Sequence, residues 1–127
     1  MTKMMIYNNQ TRRKDDDETN QGINNSPENA TESELANCGV AAEGDAGQFG
    51  GNQPEDNSGT IQYVVVKYAG RTLGNGDELN GISFAGVGSG TSVDYIQVHQ
   101  NLDDGIEFFG GTVNARYVVL TGNADDS

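Results

Sequence analysis

Two carboxylate pairs, Asp103-Asp104 and Asp125-Asp126, stand 22 residues apart, and an asparagine precedes each, Asn101 and Asn123. Hard oxygen donors grouped in this way suit Ca²⁺, which takes six to eight oxygens at roughly 2.3–2.6 Å. The same residue types also close turns, because Asn and Asp side chains bond to nearby backbone N–H groups. Two readings therefore stand for these six residues: a metal site with calcium as its cofactor, or capped turns.

Other chemistry is thinner, and no catalytic or organic-cofactor residue is assigned. His99, the only histidine, falls in register with Lys67 and Thr121, neither of which is a metal co-ligand or an orienting carboxylate, so it reads as a surface residue. No Ser, Cys or Thr has a base at a supporting spacing. Lyase chemistry needs a cationic or imidazole base beside an acidic calcium cluster. Residues 61–127 offer only Lys67, Arg71, His99 and Arg116 for that role. Gly86-Val87-Gly88-Ser89-Gly90 lacks the helix that a dinucleotide loop requires and is read as a turn. Tyr63, Tyr95 and Tyr117 recur as a column that is either a sugar-binding platform or a packing ladder.

Internal repetition supplies the elements that place these residues. Val93-Asp94-Tyr95-Ile96-Gln97-Val98 aligns with Ala115-Arg116-Tyr117-Val118-Val119-Leu120 at a spacing of 22, and Ile61-Gln62-Tyr63-Val64-Val65-Val66 is an earlier copy. Gly81-Ile82-Ser83-Phe84 recurs as Gly105-Ile106-Glu107-Phe108 at a spacing of 24. An insertion around residues 69–78 accounts for most of the longer first interval. Two short strands per repeat without helical periodicity predict an all-β parallel β-helix with coils of about 22 residues. Strands over 63–68, 95–99 and 117–121 are expected to stack in parallel. Alternation points Val64, Val66, Ile96, Val98, Val118 and Leu120 inward with Ile82, Phe84, Ile106 and Phe108, and points Gln97, His99, Ser83 and Glu107 outward.

Composition agrees with such a chain. Of 127 residues only 34% are apolar, tryptophan is absent, and 18 glycines against 2 prolines imply many tight turns. Seven Lys and Arg against 19 Asp and Glu give a net charge of −12, which argues against nucleic acid and anionic membranes as partners. Residues 1–35 read as a polar, disordered tail, 36–60 as a Gly-rich acidic lead-in, and 61–127 as the coils. Cys38 stands alone and has no internal disulfide partner, and no membrane span or signal-peptide h-region is visible. Two sequons, beginning at Asn9 and Asn29, matter only if an exported chain is glycosylated.

The segments GQFGGNQPEDNSGTIQYVVVKYAG and ELNGISFAGVGSGTSVDYIQVHQNLDDGIEFFGGTVNARYVVLTGNADDS resemble the exported β-helix proteins and lipoproteins of marine and environmental bacteria, notably Bacteroidetes and Gammaproteobacteria. The resemblance implies a right-handed helix outside the cell and brings no established activity. The expected function is a non-catalytic secreted or cell-surface module that binds glycan or protein or acts as a spacer. The alternative is a polysaccharide lyase or hydrolase. Because the third coil stops at Ser127, self-association through an open C-terminal coil is expected of the isolated chain.

Overall fold

A computed structural model describes residues 4–7, 40–41, 48–50 and 53–126. Three long strands, β4 (Thr60–Lys67), β6 (Ser92–His99) and β8 (Asn114–Thr121), form one parallel sheet in that order. Their β-branched and aromatic residues suit a pleated surface. The register sets Val64, Ile96 and Val118 side by side, and Val66, Val98 and Leu120 likewise. A second parallel sheet runs β1 (Met4–Tyr7), β5 (Ile82–Ala85) and β7 (Ile106–Phe109). A short antiparallel pair, β2 (Val40–Ala41) with β3 (Gln48–Phe49), completes the strands among the described residues. The expected parallel stacking is thus present, with each long strand beginning three residues earlier than alternation alone indicates. Successive rungs are β4 with β5, β6 with β7, and then β8.

β1 departs from the expected disordered tail. Met4 and Ile6 pack against the core, and the strand pairs with β5 from Met4 beside Ile82 to Tyr7 beside Ala85. Its MMIY run is the one apolar stretch in that region. The remainder of the tail, Cys38 and the sequons lie outside the described residues.

Each long strand bends at its tyrosine. Tyr63, Tyr95 and Tyr117 have φ of 55°, 57° and 55°, the left-handed region. One left-handed residue breaks the alternation, so Val93 and Ile96 are both buried with the exposed Tyr95 between them, and Asp94 is itself buried, at 4% exposure, among its partners Gln62, Ser92 and Arg116. The rungs bend again where Tyr68, Gln100 and Gly122 have φ of 54°, 52° and 66°.

The core is Ile82, Phe84, Val87, Val93, Ile96 and Val98, with Ile61, Val64, Val66, Ile106, Val118 and Leu120 packed around it. Two orientation expectations need correction. Ser83, expected outside, is fully buried because Asn80 roofs the outer side of β5: the Asn80 amide donates to the Ser83 hydroxyl (3.4 Å) and to the Glu107 carboxylate. Phe108, expected inside, is 48% exposed. One ring face stacks on Phe84 at 5.1 Å, and among the described residues no strand covers the other. The same end holds a hollow of about 450 Å³ lined by Ile106, Phe108, Val113, Ala115, Val118 and Leu120. Gln97, His99 and Glu107, expected to be exposed, are half-buried.

Candidate functional site

The acidic corner follows the second bend. Asn101 and Asn123 act there through backbone bonds. The Asn101 amide donates to the carbonyls of Asp104 (2.7 Å) and Leu79 (3.5 Å), and its backbone N–H donates to Asn123 Oδ1 (3.2 Å). Asp104 Oδ1 accepts from the Asp126 backbone N–H at 2.9 Å. Three of the six residues singled out thus tie one turn to the next, as capping requires. The carboxylates nevertheless converge in two groups. Asp103 and Asp125 come together with Glu78, and Asp104 meets Asp125 and Asp126, with the oxygens of each group within 4.8 Å of one another. Two oxygens on opposite sides of a Ca²⁺ ion are separated by about that distance, since each bond is roughly 2.3–2.6 Å.

Glu78 escaped the sequence reading. The insertion that interrupts the repeat folds back on itself through the 3₁₀ turn Gly74–Gly76, with Leu79 N–H donating to the Arg71 carbonyl (3.0 Å) and the Thr72 hydroxyl donating to Glu78 (3.1 Å). This local hairpin delivers Glu78 to Asp103 and Asp125, so the first three-carboxylate group draws one member from each rung. The clue available in sequence was an acidic residue at the end of the insertion.

Arg116 is engaged elsewhere. Its Nε and Nη2 donate to the two oxygens of Asp94 at 2.8 and 3.3 Å. Ser92 Oγ (2.8 Å) and Gln62 Nε2 (3.2 Å) also donate to Asp94. The Arg116 hydrogen bond, followed by that of Ser92, holds the Asp94 carboxyl below its ordinary range, and Asp94 in turn raises Arg116. Of the other lyase-base candidates, His99 shares a hydrogen bond with Thr121 (2.8 Å) and meets Tyr68 edge-on at 5.8 Å. Lys67 and Arg71 are exposed.

The tyrosine column is continuous. Tyr63 stacks on Tyr95 at 4.8 Å and Tyr95 on Tyr117 at 4.7 Å, with planes within 1° and 9° of parallel. A sugar stacks on a ring face, and here the inner faces are occupied by neighbouring rings. The outer surface therefore presents ring edges and hydroxyls. Val65 and Val119 are also exposed there, and Asp94 is the only carboxylate in the three long strands.

The Gly86–Gly90 segment is a turn, as read, and its glycines receive another part of the chain. A methyl on Gly88 would stand 2.6 Å from the Asp56 carbonyl oxygen and nearer still to its nitrogen, and one on Gly90 would stand 2.6 Å from the Glu55 carbonyl. Comparison with curated proteins and with solved structures gives no match. A family model described as a pectate-lyase-like beta helix domain matches residues 22–127, a span that takes in all of the long strands and the acidic corner. With most of its length covered in this way, and with stacked parallel strands in register, the chain belongs to the pectate-lyase-like β-helix family.

Proposed function

We propose that the chain is part of a non-catalytic, exported module, a right-handed parallel β-helix with coils of about 22 residues that binds glycan or protein on the outer face of β4, β6 and β8. The observation that carries this reading is the engagement of Arg116 by Asp94 through two hydrogen bonds. A lyase that used Arg116 would need it next to the acidic corner. The face itself combines Tyr63, Val65, Tyr68, Tyr117 and Val119, all more than half exposed, with a single carboxylate already paired. With one carboxylate among three long strands, and that one paired, the face suits an uncharged or weakly anionic ligand. Export is carried over from the resemblance. Among the described residues β7 and β8 are edge strands, and self-association would take place there.

At the acidic corner we propose a structural Ca²⁺ held by Glu78, Asp103 and Asp125, supported by the mutual approach of their oxygens.

The test is a titration of the purified chain with neutral and acidic oligosaccharides, followed by backbone NMR and by an assay for unsaturated sugar products. Shifts confined to the outer face, lost in Tyr117→Ala, are expected without product formation. Calcium-dependent cleavage of an acidic polysaccharide would overturn the proposal in favour of a lyase.

A further inference from the structure

In a stack of rungs each rung touches only its neighbours, so stability is a sum of local terms and the ends fray independently. This chain contains a departure from that rule. In the links between the two sheets, residues 86–91 join β5 to β6 and residues 110–113 join β7 to β8. The corresponding link, from β1 to β4, runs from residue 8 to residue 59. Its described end, residues 48–50 and 53–59, lies across the other two links.

The contacts span the rungs. Phe49 is 1% exposed and packs against Phe109 of the second rung, ring centroids 6.3 Å apart. The Pro54 carbonyl accepts from Ser89 N–H (2.8 Å) in one link and from the Thr112 hydroxyl in the next. Ser89 N–H is shared with Thr112 Oγ1 at 2.9 Å, so the three groups form one junction. Asp56 and Glu55 lie against Gly88 and Gly90, where no side chain could fit. Ser58 N–H then donates to Thr91 Oγ1 (2.9 Å), and Gly59 accepts from Ser92 N–H (3.1 Å) as the chain enters β4. The segment therefore leads from the link preceding the third rung, past the second, into the first strand of the first.

We propose that the described residues 49–50 and 53–59 form a strap that couples the first rung to the third and makes the three unfold as one unit. The strap is also held in shape by its own hydrogen bonds, with Asp56 N–H donating to the Gln53 carbonyl (3.0 Å), Ser58 Oγ to Asp56 (2.9 Å), and Gly59 N–H to Asn57 Oδ1 (2.8 Å). The glycines at 88 and 90 are the seat for its backbone, which accounts for a Gly-rich turn that has no phosphate to bind.

Hydrogen exchange of the full chain, read by mass spectrometry, tests the coupling. Gly88→Ala forces the strap from its seat, and Tyr117→Ala, a variant of the third rung remote from the strap, is the control. In Gly88→Ala, amides of β7 and β8 should exchange roughly tenfold faster or more, the effect of a point change of ordinary size. Protection in β4 should fall with them, and the urea transition should broaden. In Tyr117→Ala the transition should move to lower urea and stay sharp. Phe49→Ala, which removes only a side chain, provides the same comparison should Gly88→Ala fail to fold. Acceleration limited to residues 49–50 and 53–59, with β4, β7 and β8 unchanged, would overturn the strap.

Discussion

Replacing Tyr95 separates the two consequences of placing an aromatic residue at a left-handed bend. Tyr95 has φ 57° and lies between Tyr63 and Tyr117 at 4.8 and 4.7 Å. A stacked aromatic pair contributes about 0.5–1.5 kcal/mol beyond its buried area, so Tyr95→Ala, which breaks two pairs, should cost about 1–3 kcal/mol. Alanine would still bear the left-handed penalty of an L-residue, roughly 1–2 kcal/mol, which glycine does not incur. In an ordinary strand glycine is worse than alanine by roughly 0.5–1 kcal/mol. Here the order should invert, with Tyr95→Gly about 1 kcal/mol more stable than Tyr95→Ala. Tyr63→Ala, which loses one stack, should cost about half as much as Tyr95→Ala. Equilibrium urea unfolding followed by circular dichroism gives the three midpoints, comparable if the slopes agree. A midpoint for Tyr95→Gly below that of Tyr95→Ala would refute the bend.

Two further outcomes concern the polar groups. Arg116 holds Asp94 below its ordinary value of 3.8. A carboxylate depressed by folding gives stability that is fully present above that ordinary value and is lost as pH falls through the folded one. Asp94→Asn should therefore lower Tm at neutral pH, with the gap from the parent closing as pH falls below 3.8; a gap that stays constant on acidification would contradict the assignment. Millimolar Ca²⁺ should raise Tm, by the equivalent of about 2.7 kcal/mol at a hundred times Kd. Asp103→Asn with Asp125→Asn should abolish the rise, and an unchanged melt of the parent chain would leave these residues as turn caps.

The repeat was legible in sequence because the same tyrosine and β-branched pattern recurs, 22 residues apart in its last two copies, and that spacing reappears as the register between β6 and β8. Inward positions after each tyrosine, such as Ile96 and Val98, followed from alternation. Positions before it did not, because a left-handed residue leaves no mark when the residue is tyrosine rather than glycine. Burial of Ser83 depends on Asn80 folding over it, a contact that periodicity does not encode. The acidic corner was visible in part: its Asp and Asn residues repeat, whereas Glu78 arrives through an insertion whose fold is set by a local hairpin. The strap was invisible, since Phe49 and Phe109 are distant in sequence and the seat consists of glycines that look like any turn. Pairing of Arg116 with Asp94 was within reach, because the two occupy the same repeat position.

The shared register also governs how such a chain can change length. Ser92 pairs with Asn114 and His99 with Thr121, each 22 residues on. Duplicating or deleting one such unit leaves every column continuous, so the tyrosine stack and the exposed face grow or shrink by one strand spacing, about 4.8 Å. A single inserted residue inside β6 would instead turn Val98 outward and set His99 against the core. Heritable variation in length should therefore come in whole rungs, or fall in the links, where residues 69–78 and 8–59 already show that extra chain is tolerated.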